Sequence, residues 1–80
     1  MGNVDVDIVV RLLSLLLERP MRKTELWRLS KLNYYSFEKY LQLLKEKGLV
    51  AERDGFYHLT EKGTRETLAI LEWLRRVLYF

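Results

Sequence analysis

Tyr34, Tyr35, Ser36, Lys39 and Gln42 crowd a short stretch in the middle of the chain. Side chains of these types can meet phosphate oxygens and base edges. An ammonium such as Lys39 suits a phosphate or a guanine, and Gln42 can pair with adenine through two hydrogen bonds, a contact that discriminates by roughly 1–3 kcal/mol. Upstream, Arg22, Lys23 and Thr24 stand together before a helical pattern, where two charges and free backbone amides can hold a phosphate. Arg53 adds a further cation beside an Asp-Gly pair. Tyr34 has a second use, because a tyrosine at a helix start can staple against the core.

Catalysis has little to work with. Ser14, Ser30 and Ser36 have no evident catalytic partner at helical spacing, there is no cysteine, and His58 is the single histidine. The run Glu61, Lys62, Gly63, Thr64 reverses the Gly-Lys order of a phosphate loop and lacks its upstream glycine, so it reads as a helix start. Thiolate and multi-histidine metal sites are excluded on the same counts. No enzyme activity, cofactor or metal is expected.

The charge distribution points to a polyanion. Net charge is +3, yet from Arg19 to Arg53 nine Lys or Arg stand against four Glu, while the remainder is net acidic. A positive field concentrated in one part of the chain suits duplex DNA. The apolar runs Ile8–Val10 and Leu15–Leu17 are far too short to span a membrane. Asp5 and Asp7 stand where a secretion signal needs basic residues, so a cytoplasmic, nucleoid-associated protein is expected. Eighty residues, 49% of them hydrophobic, make one small domain whose core gains from a partner subunit.

The elements that must position these residues follow from periodicity. Residues 5–19 read as a helix with acidic residues at its N-terminus and Pro20 after its end. Asp7, Arg11, Ser14 and Glu18 form one narrow polar stripe, leaving most of the circumference apolar and in need of cover on two sides. A second helix is predicted at 24–31, capped by Thr24, with Leu26, Leu29 and Trp27 inward. A third at 33–47 starts at the N-cap Asn33 and stops at Gly48. Its Phe37, Tyr40, Leu41 and Leu44 mark one buried face, which leaves Tyr35, Lys39 and Gln42 outward. Two short helices joined by a tight turn are a helix-turn-helix, whose second helix enters the major groove.

Residues 49–60 read as a hairpin turning at Asp54-Gly55, with Leu49, Ala51 and Leu59 as candidates for its inner face. Thr60 caps a last helix at 61–78, in which Gly63 costs roughly 1 kcal/mol relative to Ala. Two apolar stripes run along this helix. One holds Thr64, Leu68, Leu71, Leu74 or Arg75, and Leu78; the other holds Ile70, Trp73, Val77 and Phe80. A monomer can bury one of them, so Leu68, Leu71, Trp73, Leu74, Val77 and Leu78 are expected in a homodimer interface. Folding of both stripes onto the first helix is the alternative.

The order of elements, and the wording KLNYYSFEKYLQLLKEKGLV followed by GFYHLTEKGTRETLAIL, resembles the small archaeal winged helix-turn-helix DNA-binding proteins and related regulators of archaea and their viruses. That group includes a chromatin-associated type that dimerises through its C-terminal helix. The resemblance covers residues 6–78, through the Tyr-bearing helix, the pair Leu49-Val50 and the Leu59-Thr60-x-x-Gly63 element. It departs in a shorter last helix ending at Tyr79 and Phe80. It implies a mainly α fold with a small β-hairpin (α+β), a single winged-helix domain over 1–80 with a C-terminal dimerisation helix. A homodimeric transcriptional regulator is the expected function. An architectural chromatin protein and a protein-interaction module remain as alternatives.

Overall fold

The computed structural model describes residues 3–78, so Phe80 of the expected second stripe lies outside the described residues, as does Tyr79. In chain order the elements are α1 (Val6–Glu18), β1 (Met21–Arg22), α2 (Lys23–Ser30), α3 (Tyr34–Glu46), β2 (Val50–Arg53), β3 (Phe56–Leu59) and α4 (Glu61–Leu78). The fold is mostly helical with one antiparallel sheet of order β1-β3-β2. No helix among the described residues is long and apolar enough to cross a membrane.

Local chemistry sets the helix ends. The Asp5 carboxylate accepts the amides of Asp7 and Ile8. Arg19 is fully extended, as a residue before proline must be if it is to avoid a clash with the ring. Asn33 Oδ1 accepts the Ser36 amide at 2.8 Å, which fixes the start of α3. At its end Gly48 takes φ +75°, and the amides of Gly48 and Leu49 bond back to the Lys45 and Leu44 carbonyls. These two crossed bonds satisfy carbonyls that the helix leaves free.

The two-residue strand β1 is too short for any periodicity to reveal. Met21 pairs with Tyr57 and Arg22 with Phe56, so the hairpin becomes the core of a three-stranded sheet. That pairing corrects the reading of Thr24 as a cap. Arg22 is held extended by the sheet and is itself the N-cap residue, without a side-chain cap bond, which leaves Thr24 exposed inside the first turn. Leu29 is also corrected, being exposed. Leu26, Ser30 and Trp27 define the inward side, and the Trp27 indole donates to the Leu32 carbonyl at 2.8 Å.

The hairpin turns through Asp54 (φ +54°) and Gly55 (φ +84°), the two left-handed residues of a type I′ turn. Its register sets Val50 against Leu59 and Glu52 against Tyr57. Val50 and Tyr57 are buried and Leu59 packs on the core, so the inner face runs through these three. Ala51 pairs with His58 on the other face; alternation by two excludes it once Val50 points in.

The core joins Leu12, Leu13 and Leu16 of α1 to Leu26 of α2, the Phe37, Tyr40, Leu41 and Leu44 face of α3, and Met21, Val50 and Tyr57 of the sheet. Each fully buried large side chain contributes about 1.5–3 kcal/mol. α4 rests against α1 and β3. Its buried residues are Gly63 and Thr67, with Thr64, Ile70, Leu71 and Leu74 half-buried; Leu68, Trp73, Val77 and Leu78 are exposed. Neither expected stripe is therefore wholly inside. Small residues at 63 and 67 permit the closest approach, and this sets the rotation of the helix, drawing its two faces from both stripes.

Candidate nucleic-acid interface

The buried face of α3 determines what its other side can offer. With Phe37, Tyr40, Leu41 and Leu44 locked inward, Tyr35 (78% exposed), Lys39 and Gln42 form an outward ridge, continued by Glu46. Gln42 donates to the Glu46 carboxylate at 3.4 Å. Lys39 lies 5.9 Å from the Tyr40 ring centre and makes no ion pair among the described residues. Ser36 is half-buried on the flank, its amide already used by Asn33.

The segment before α1 runs beside this ridge. The Asp5 amide donates to the Tyr40 hydroxyl at 2.7 Å, and a small cavity of about 270 Å³ opens between Val4 and the side chains of Lys39, Tyr40, Gln42, Leu43 and Glu46. Nothing in the spacing of residues pointed to this neighbour, because the bond links positions 35 apart in sequence.

Lys23 and Tyr34, the first residues of α2 and α3, meet at the ridge's other flank. Tyr34 sits edge-on to Trp27 with ring centres 5.3 Å apart and leans on Phe37, so it does staple the turn, while remaining 48% exposed. Its hydroxyl donates to Glu38 Oε2, and the Lys23 ammonium pairs with the same oxygen, each at 2.5 Å. Lys23 also lies 5.8 Å from the Tyr34 ring centre. The hydrogen bond from Lys23, then that from Tyr34, holds the Glu38 carboxyl below the usual glutamate range; the same bond raises Lys23. The sequence reading does not single out Glu38. Its i, i+4 relation to Tyr34 was legible, whereas its partner Lys23 is brought in only by the packing of α2 on α3.

The wing cations divide between two faces. Arg22 and Arg53 both pair with Phe56 on the outer face, and the Arg22 guanidinium lies 4.5 Å above the Phe56 ring. Lys45, another residue the sequence reading did not single out, lies 5.7 Å from the centre of the inward Tyr57 ring. Burial pushes the Tyr57 phenol up from its ordinary value. Thr24 is exposed in the first turn of α2. The tertiary fold thus sets Tyr35, Lys39 and Gln42 on one ridge, Lys23 and Tyr34 beside it, and Arg22 with Arg53 on the outer side of the wing.

A winged helix-turn-helix family model matches residues 4–78. No curated protein matches. Among solved structures the chain is similar to CalO1, a methyltransferase in calicheamicin biosynthesis in its SAH-bound form, at 27% identity and TM-score 0.58 over 74% of this chain. It is similar also to PigF with SAH, at 25% identity and TM-score 0.59 over 75% of this chain. In each case the match spans 18% of the other, longer chain.

Proposed function

The chain belongs to the winged helix-turn-helix family, and on that premise we propose that it binds duplex DNA as a homodimeric transcriptional regulator. The observation that carries this reading is the α3 ridge, where Tyr35, Lys39 and Gln42 stand in solvent on a helix whose other face is anchored in the core. Such a helix can enter a major groove without losing its own packing. Lys39 would meet phosphate or guanine and Gln42 adenine, with Tyr34, Tyr35 and Ser36 near the backbone. Arg22, Lys23, Thr24 and Arg53 would hold flanking phosphates. Dimerisation would use the exposed Leu68, Trp73, Val77 and Leu78 with the half-buried Leu71 and Leu74. The affinity with archaeal regulators, the chromatin-associated type among them, and the nucleoid location belong to this proposal.

One observation favours a second reading, a protein-interaction module: the similar solved structures include a methyltransferase, so the fold alone does not assign DNA binding. Fluorescence anisotropy on a random duplex and on DNA upstream of the chain's own gene, each titrated across salt, separates the readings. A regulator gives a steep salt slope and tighter upstream binding. Equal affinities favour an architectural role, and absence of binding at low salt favours the interaction module. Lys39→Glu is expected to weaken binding with the dimer intact; a folded variant of unchanged affinity would remove this surface from the argument.

A further inference from the structure

Two donors converge on one anionic oxygen beside the recognition ridge. Glu38 Oε2 takes both the Lys23 ammonium and the Tyr34 hydroxyl, one from the start of α2 and the other from the start of α3. An ammonium and a phenol aimed at the same point are what a phosphate oxygen would also accept. The charge of Lys45 adds a smaller favourable field at the same carboxylate. Lys23 and Glu38 are both half-buried, so the pair is open to an incoming ligand.

Resting on the duplex-DNA reading above, we propose that Glu38 is an internal counterion occupying the place of a DNA phosphate oxygen, so that Lys23 and Tyr34 reach the backbone only when the phosphate displaces the carboxylate. Glu38 thereby lowers the affinity of the site for any duplex and limits retention on non-cognate DNA. The low proton affinity of Glu38 agrees with this, since the carboxylate stays ionised and keeps its hold on Lys23 at neutral pH. A carboxylate within the phosphate-binding surface also repels DNA directly until it moves aside. Neutralising it releases one cation for one phosphate contact, which adds about 0.9 to the salt slope. With equal affinities at about 1 M salt, that slope makes the affinity near 0.1 M about eightfold higher.

The test is anisotropy on a random duplex across salt for the unaltered chain, Glu38→Gln, Lys23→Gln and the double variant, with a thermal melt of each. Glutamine keeps the length of the side chain and an acceptor for both donors. Glu38→Gln is expected to bind about eightfold tighter with a steeper slope. Lys23→Gln should weaken binding by itself, since it leaves the Glu38 carboxylate uncompensated, and should abolish the gain when combined with Glu38→Gln. A second check follows the Glu38 carboxyl carbon by NMR as pH is lowered, first without duplex and then with duplex present. Saturating duplex should move the Glu38 midpoint upward as Lys23 leaves. Salt-dependent binding by the unaltered chain with no gain in Glu38→Gln, or weaker binding, overturns the counterion role and leaves the DNA reading standing. Absence of binding by all four proteins at low salt overturns both.

Discussion

At Gly63 the α4 backbone comes so close to the chain leading into β2 that an added Cβ would stand 2.0 Å from the Leu49 carbonyl oxygen. Helix propensity alone makes this glycine a weak point, favouring alanine by roughly 1 kcal/mol. The contact reverses the sign. A backbone carbonyl cannot swing away as a flexible side chain can, and overpacking of this kind costs about 1–3 kcal/mol. Gly63→Ala is therefore expected to lower the urea midpoint of unfolding, with an unchanged slope. A raised midpoint would mean that α4 lies farther from Leu49 than described. The same residue also anchors its neighbours: its amide donates to Thr60 Oγ1, and its carbonyl accepts from the buried Thr67 hydroxyl at 2.7 Å. Thr60 in turn donates to the Gly48 carbonyl, tying the end of α3 to the start of α4.

Among the elements, α3 couples the core to the proposed recognition surface most directly. Four inward side chains fix its rotation, and Asn33 fixes where its first turn begins. That first turn carries Tyr34, Tyr35 and Ser36, so under the proposed function the cap matters to stability and to DNA alike. Asn33→Ala removes the acceptor for the Ser36 amide and should cost about 1 kcal/mol. In a domain of this size the loss corresponds to a fall of roughly 4–8 °C in Tm, readable by circular dichroism. Under the proposed function, duplex affinity should fall as well, because a frayed first turn misplaces the phenols. α2 depends more on its surroundings. Its start is dictated by strand pairing at Arg22, its end turns at Lys31 with φ +63°, and Arg11 of α1 donates to its Ser30 carbonyl at 2.8 Å. Arg19 clasps Glu25 through both nitrogens, holding the end of α1 against α2.

For the whole molecule, the distribution of apolar surface is the main consequence of the fold. Ile8, Val9 and Leu15 pack on the core, Val6 is exposed, and α4 presents Trp73 (54% exposed) and Leu78 (62% exposed) to solvent. An apolar strip of this length on a small chain is the kind of surface a second subunit covers. Under the proposed homodimer, Trp73→Glu and Leu74→Glu should shift sedimentation toward the monomer. Trp73 is the cleaner of the two, since Leu74 is half-buried and its loss also disturbs the protomer. A Trp73→Glu protein that sediments as an unaltered dimer would place the interface elsewhere. Both variants should retain the α-helical spectrum, because the central core lies in α1, α2, α3 and the sheet.

Features that depend on neighbours along the chain were legible before folding. The buried face of α3, its Asn33 cap, the Gly48 stop and the Asp54-Gly55 turn all follow from spacing and backbone preference over a few residues. The exposed ridge of Tyr35, Lys39 and Gln42 was legible for the same reason, being what remains once the apolar face is assigned. Only the tertiary structure decided which contacts join distant segments. β1 exists because Met21 and Arg22 find β3, and that pairing displaces Thr24 from its expected cap. Gly63 and Thr67 set the rotation of α4 through contacts outside its own periodicity. Glu38 captures Lys23 because α2 packs on α3. Local patterns encode which face of an element is apolar; the depth, rotation and charge partners of that face arise from packing between elements, where one short-range contact outweighs a propensity of a few tenths of a kcal/mol.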